Sequence, residues 1–241
     1  MNDIAVQLTD VRYAYPDGTV ALRGVSFAVA RGERVALLGA NGSGKSTLLL
    51  HLNGILARHG GQAGHGGVSI FGLEVGKSTL KEARRRVGLV FQNPDDQLFS
   101  PTVFEDVAFG PRNMGLRKGE LAERVRESLA AVGLTGYEER SAFHLSFGEK
   151  KRISIATVLA MRPEILVLDE PTSNLDPRRR REILTLLKEL GGTQIIATHD
   201  LDFAEKLCQR AIVLERGEVV AQGAIADIVG DAGLLETHGL A

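Results

Sequence analysis

Apolar and polar residues alternate over positions 5–15, break at the turn Pro16-Asp17-Gly18, and resume over 21–30 before Arg31-Gly32-Glu33. A period of two punctuated by turn formers predicts an antiparallel β region at the head of the chain. The short apolar run Val35-Ala36-Leu37-Leu38 predicts a buried strand, and residues 46–53, which open with Ser-Thr and continue through four leucines, predict a helix. Over 81–161 the pattern is mostly helical, with an amphipathic segment at 121–132 bounded by Gly119 and Gly133. Strand and helix then alternate: a strand at 165–168, a helix at 177–190, a strand at 194–198, a helix at 201–210, and a closing hairpin around Arg216-Gly217-Glu218. Alternation with crossover-length connections predicts a parallel sheet. The expected fold class is α/β, with an N-terminal antiparallel β subdomain and a helical insert. We expect one domain over 1–241: a core of about 1–90 and 162–223, a helical subdomain of about 91–161, and a tail at 224–241.

Composition narrows this without redirecting it. A chain of 241 residues, 44% of them apolar, buries one substantial core with at most a small satellite. Lys and Arg number 29 against 30 Asp and Glu, so no overall basic field favours a nucleic-acid backbone. The runs Arg84-Arg85-Arg86 and Arg178-Arg179-Arg180-Arg181 lie in mixed-charge helical stretches and are expected to be solvated faces. Apolar stretches such as 153–159 and 165–168 fall far below the roughly 20 residues of a membrane-spanning helix. Met1-Asn2-Asp3-Ile4 lacks a signal-peptide pattern, so the expected location is cytoplasmic, and any membrane is served from the water side. Cys208 is the only cysteine, which excludes an internal disulfide; its expected role is an apolar filler on a helix. The stretch 59–67 holds two histidines among glycines, but two imidazoles leave a divalent ion half coordinated and ordering the loop costs entropy, so no metal is expected there.

The chemistry concentrates after the predicted strands. Gly39-Ala40-Asn41-Gly42-Ser43-Gly44-Lys45-Ser46 is a complete G-x-x-x-x-G-K-[ST] phosphate loop between a strand and a helix, the context that motif requires. Gly42 and Gly44 let the backbone curl so that N–H groups, Ser43 and Thr47 among the neighbours, face a β-phosphate at the positive end of the helix dipole. Lys45 adds a point charge at the β- and γ-phosphates, and the Ser46 hydroxyl can ligate magnesium. The chain is therefore expected to bind a nucleoside triphosphate with Mg2+. Leu166-Val167-Leu168-Asp169-Glu170 is a buried strand ending in two acids, with Asp169 placed to hold magnesium and Glu170 to act as general base or orienter of water. Thr198-His199-Asp200 ends another strand and offers an imidazole at the same edge.

Over positions of about 7–223 these segments resemble the ATPase subunit of an ABC transporter, which implies the ABC ATPase fold around a P-loop NTPase core and implies ATP hydrolysis. The resemblance assigns Tyr15 to stacking on adenine and Gln92 to contacting magnesium and water while sensing a transmembrane partner. Leu145-Ser146-Phe147-Gly148-Glu149 resembles the signature loop, whose serine hydroxyl and N–H groups cap the γ-phosphate of the opposite protomer; Ser146 and Gly148 are its retained contacts. Phe147 stands where the family has a first glycine and Glu149 where it has glutamine, so altered affinity is expected. Ser173-Asn174-Leu175-Asp176 corresponds to the loop joining the two sites of a dimer, and His199 to the switch histidine that holds the γ-phosphate. His51-Leu52-Asn53-Gly54-Ile55-Leu56 and Phe91-Gln92-Asn93-Pro94-Asp95-Asp96-Gln97-Leu98-Phe99 resemble the energy-coupling-factor branch. Ser100-Pro101-Thr102-Val103-Phe104-Glu105-Asp106-Val107-Ala108-Phe109-Gly110-Pro111 is most similar to its cobalt-importer ATPases. The branch implies a homodimer or a heterodimer with a paralogue, a transmembrane coupling subunit with arginine-bearing helices, a small substrate-binding membrane subunit, and residence on the cytoplasmic face of the cell membrane. Asp95 and Asp96 are expected to form an acidic groove for those arginines. Import of nickel or a vitamin is an alternative, and a soluble ABC ATPase acting on ribosomes or DNA is the rival from another class.

Overall fold

The computed structural model describes residues 3–56 and 66–240. In chain order the elements are β1 (Ile4–Ala14), β2 (Val20–Ala30), β3 (Arg34–Leu38), α1 (Lys45–Leu52), β4 (Gly67–Ile70), β5 (Leu73–Glu74), α2 (Leu80–Arg86), β6 (Val87–Val90), α3 (Val103–Asn113) and α4 (Lys118–Ala131). There follow α5 (Phe147–Leu159), β7 (Ile165–Asp169), α6 (Pro177–Leu190), β8 (Thr193–Thr198), α7 (Leu201–Leu207), β9 (Arg210–Glu215), β10 (Glu218–Ala224), α8 (Ile225–Gly230) and α9 (Ala232–Thr237).

They build two sheets. One is antiparallel, in the order β2-β1-β4-β5; the other, in the order β10-β9-β3-β8-β7-β6, is parallel from β9 to β6 and closed by the antiparallel β10. Strands β7 and β8 are buried at every residue, which is why they read as continuous apolar runs rather than alternations. The pleat still sorts them by parity. Ala36, Leu38, Leu166, Leu168 and Ile196 face a core shared with α3 to α7, while Val35, Leu37, Ile165, Val167 and Ile195 face α1 and the antiparallel sheet. Helix α6 inserts Ile183, Leu186 and Leu187 into the first of these cores, each worth about 1.5–3 kcal/mol of transfer free energy.

Helix starts follow their sequence signals. Thr102 accepts from the Glu105 amide at 3.3 Å, Asp200 from the Phe203 amide at 3.0 Å, and Asp176 from the Arg178 and Arg179 amides at 2.9 Å each, with Pro177 filling the first helical position of α6.

Within the mostly helical stretch 81–161, Val87-Gly88-Leu89-Val90 forms the fully buried strand β6, where a Cβ on Gly88 would stand 2.3 Å from Val158 of α5. Helix α7 ends at Leu207 rather than at 210, since Cys208 is extended and the Arg210 guanidinium turns to Glu33 at 2.7 Å to open β9. Cys208 is buried at the helix cap, not inside the helix. In the tail Ile225, Ile228 and Leu235 are buried, and His238 Nδ1 lies 2.6 Å from Glu215 Oε2. The arginine runs are engaged as well as solvated, Arg84 on the Asn53 and Gly54 carbonyls, Arg179 on Glu182, and Arg180 on Asp200 and Asp202. The histidines of the 59–67 stretch lie outside the described residues.

Candidate functional site: a nucleotide cradle at the sheet edge

Register places the site. Leu38 at the end of β3 pairs with Thr198 at the end of β8, and Asp169 at the end of β7 pairs with Ala197. The phosphate loop, the acidic pair and His199 therefore emerge side by side from the carboxyl ends of three adjacent parallel strands, where open α/β sheets form their binding crevices.

The loop geometry needs its glycines. Gly42 (φ 79°) and Gly44 (φ 106°) are left-handed, and a Cβ on Gly39 would stand 2.3 Å from the Leu214 carbonyl and 2.5 Å from Ser43 Oγ. The β9–β10 turn buttresses the loop from behind: the Gly217 amide donates to the Ser43 carbonyl at 2.9 Å, and the Arg23 amide donates to the Gly217 carbonyl at 2.8 Å. Asn41 is exposed, whereas Ser43 is buried.

Lys45 is 6% exposed and donates to the carbonyls of Gly39 at 2.6 Å and Ala40 at 3.2 Å, with its ammonium 3.8 Å from Glu170 Oε1. Burial lowers its pKa, and the charges of Glu170 and Asp169 oppose that shift. Asp169 is pushed the other way by burial, against the Ser46 hydrogen bond, and its Oδ1 is a buried oxygen without a hydrogen-bond partner. An unpaired buried carboxylate oxygen beside a serine hydroxyl suits a hard divalent cation, so the residues present fit Mg2+.

Glu170 is 5% exposed and takes a left-handed backbone, φ 44°. Its amide donates to the Ala197 carbonyl at 2.9 Å, Oε2 accepts from Thr198 Oγ1 at 3.2 Å, and Oε1 lies 2.9 Å from His199 Nδ1. The His199 ring is 60% exposed beyond this contact, so one face is anchored and the other is open. At the rim Tyr15 is exposed; its hydroxyl is 2.9 Å from Thr47 Oγ1 and its ring packs edge-on against Tyr13 at 5.0 Å.

The structure thus gathers Gly39, Gly42, Ser43, Gly44, Lys45, Ser46, Thr47, Tyr15, Asp169, Glu170 and His199 around one crevice. Gln92 follows β6, and its carbonyl accepts from Lys151. The contacts of Ser146, Gly148 and Asp176 run elsewhere. Ser146 caps α5 and hydrogen-bonds Glu149, Gly148 lies beside Arg179, and the Asp176 carboxylate caps α6. Phe147 is the first residue of α5 and half-buried.

Two residues escaped the sequence reading. Tyr137 donates its hydroxyl to Glu149 Oε1 at 2.7 Å, which with the Ser146 hydroxyl and amide holds that carboxyl down at about 2. Lys151 is wholly buried, and burial pushes it down to about 8 while Asp169 and Glu170 pull it back up. A signal for Lys151 existed: it shares a helical stripe with Ser154, Ile155 and Val158, all buried.

A glycine-rich loop opening a helix, a buried lysine within it, and two acids from the end of β7, one strand beyond β8, define a phosphate-loop ATPase. The family model described as ABC transporter matches residues 22–173. The chain is 52% identical to the energy-coupling factor transporter ATP-binding protein EcfA of Methanothermobacter thermautotrophicus, over 98% of this chain and 76% of that one. Its fold is similar to that of CbiO1 from Clostridium perfringens, part of the ABC transporter complex CbiONQ, with a TM-score of 0.83 at 39% identity, covering 99% of this chain and 95% of the other. It is also similar to the ATP-binding cassette MJ0796, seen as a post-hydrolysis dimer bound to ADP and Pi, with a TM-score of 0.79 at 31% identity over 91% and 98% of the two chains. The chain belongs to the ABC transporter ATP-binding family, in its energy-coupling-factor branch, and it is an ATPase.

Proposed function

We propose that the chain is the motor subunit of an energy-coupling-factor importer, working as a dimer that sandwiches two ATP molecules between phosphate loop and signature loop. The observation that carries this reading is the separation of two half-sites within one chain. Lys45, Glu170 and His199 converge on the crevice, whereas Ser146, exposed at the N-terminus of α5, has its contacts on the helical side. A second copy supplies the missing half to each crevice.

In this reading Tyr15 stacks on adenine, the loop amides from Gly39 to Thr47 cradle the phosphates, and Lys45 neutralises charge at the β- and γ-phosphates. Ser46, Asp169 and the Gln92 side chain would hold Mg2+, which would offset negative charge on the phosphate oxygens. Glu170, fixed by Thr198 and His199, orients the attacking water and takes its proton, while the open edge of His199 holds the γ-phosphate. Ser146 and Gly148 of the partner complete the cage, and Asp176 sits in the segment between the sites. ATP binding closes the dimer and hydrolysis lets it reopen.

A groove of about 800 Å³ between α2, β6, α3 and α5 suits the transmembrane subunit. Its floor includes Phe91 and Met161, and Phe99 and Phe109 stand 60% and 51% exposed with rings edge-on at 5.2 Å. The expected acidic character needs correction. Asp96 lines the groove, but Asp95 is paired with Lys150 at 2.7 Å, and Lys77, Lys81, Arg84 and Arg85 also border it, so its rim is of mixed charge. Among the described residues no helix is long and apolar enough to cross a membrane, in keeping with a peripheral subunit on the cytoplasmic face. Cobalt as the solute draws support from the resemblance of the segment at 100–111 and from the likeness to CbiO1, with nickel or a vitamin as the alternatives.

Purification of the tagged chain from native membranes in mild detergent, with mass spectrometry of stoichiometric partners, tests the proposal. Recovery with hydrophobic coupling and substrate-binding subunits is the expected result and names the solute. Recovery with ribosomes or DNA alone refutes it.

A further inference from the structure

Lys151 has no part in the chemistry described so far, yet it is 0% exposed and its ammonium is spent entirely on backbone near the crevice. It donates to the carbonyls of Glu170 at 3.1 Å, Phe91 at 3.5 Å, and Gln92. Removing an ammonium from water is costly unless several acceptors surround it, and a helix packed in an apolar core needs no lysine for stability. Here the acceptors come from the two segments that deliver the water-orienting acid and the magnesium-contacting glutamine.

Two further observations point the same way. Glu170 adopts a left-handed φ of 44°, a backbone that a non-glycine residue holds only when its surroundings enforce it. The segment after β6 is gripped by α5 a second time: Gln97 donates to the Ser154 carbonyl at 2.8 Å and to Thr157 Oγ1 at 2.6 Å while accepting from the Phe91 amide at 3.1 Å. Helix α5 is thus capped by Ser146 and, little more than one turn later, holds both catalytic segments of its own chain.

We propose that Lys151 is a positioning residue for hydrolysis, clamping the backbones of Glu170 and Gln92 so that capture of the partner's nucleotide by Ser146 at the start of α5 sets the geometry of the chain's own crevice. This rests on the roles given above to Glu170, Gln92 and Ser146. Communication between the two sites then runs along one rigid helix. Lys151 touches neither nucleotide.

The test uses the full-length chain with Lys151→Met and Lys151→Gln, measuring binding of a fluorescent ATP analogue, kcat, KM and the Hill coefficient for ATP. In Lys151→Met we expect analogue affinity and KM to stay within about threefold, kcat to fall about a hundredfold, as for a misplacement near 1 Å at a reacting centre, and the Hill coefficient to drop to one. Lys151→Gln keeps a donor and falls between the two. A merely structural lysine would lower the folded fraction while leaving kcat per binding-competent site and the Hill coefficient intact, and that result overturns the proposal. Should the methionine variant not fold, the glutamine variant decides on the same split between kcat and affinity. Glu170→Gln is the control: undiminished turnover there removes the site reading and the clamp with it, whereas an inactive Glu170→Gln beside a fully active, cooperative Lys151 variant overturns the clamp alone.

Discussion

Glu149→Gln is expected to tighten the ATP-bound dimer while destabilising the monomer. In the structure the Ser146 hydroxyl donates to Glu149 Oε2 at 2.6 Å, the Ser146 amide donates to the same oxygen at 2.9 Å, and Tyr137 holds the other oxygen at 2.7 Å. For Ser146 to donate to a partner's γ-phosphate, its hydroxyl must leave this carboxylate. A hydrogen bond to a charged acceptor contributes about 1.5–3 kcal/mol and one to a neutral acceptor about 0.5–1.5, so an amide releases the hydroxyl for about 1–1.5 kcal/mol less. That is about tenfold per site and about a hundredfold for the two sites of a dimer. The same weakening lowers the folding stability of the monomer, and because the acid sits in the first turn of α5, losing its negative charge costs about 0.3–1 kcal/mol more. Sedimentation with ATP, in a Glu170→Gln background to suppress turnover, reads the dimer constant, and a thermal melt without ATP reads the monomer. A dimer no tighter than its parent would refute the idea that Glu149 competes with phosphate for the serine proton.

Three other outcomes are expected. Glu170→Gln should bind ATP but lose about two to four decades of kcat, the usual share of a general base, accumulating a closed dimer visible by gel filtration; phosphate release at the parental rate would exclude Glu170 from that role. Gly39→Ala drives a Cβ against the Leu214 carbonyl and Ser43, so equilibrium binding of a fluorescent nucleotide should weaken at least tenfold, about 1.4 kcal/mol. Because Glu149 titrates at about 2 in the fold rather than at its ordinary 4.5, its stabilisation is fully present above pH 4.5 and is lost as pH falls from there toward 2. The stability gap between the parent and Glu149→Gln, read by denaturant titration, should therefore shrink across that interval and be flat above it.

Local patterns made the candidate site legible because the residues proposed to bind phosphate must also bend the chain. Gly42 and Gly44 announce both functions at once, and the apolar runs before them and before Asp169 are the parallel strands β3 and β7. What escaped was long-range. Strand β6 is only four residues long and abuts α2, so its pattern merged with the helix before it, and only its parallel pairing with β7 distinguishes it. The support of the phosphate loop by Gly217 spans most of the chain and leaves no periodic trace. Asp95 read as a free acid because its partner Lys150 lies 55 positions away. Tyr137 escaped for the same reason as Asp95: a single hydrogen bond between segments that only folding brings together.

On the role proposed for Glu170, its left-handed backbone sets this enzyme's stability against its purpose. A non-glycine residue in that conformation costs about 1–3 kcal/mol, a sizeable part of the margin by which a domain of this size stays folded. Glycine at that position would relieve the torsion and remove the carboxylate. Selection for thermal robustness alone would therefore favour an inert protein, and persistence of the acid depends on demand for turnover.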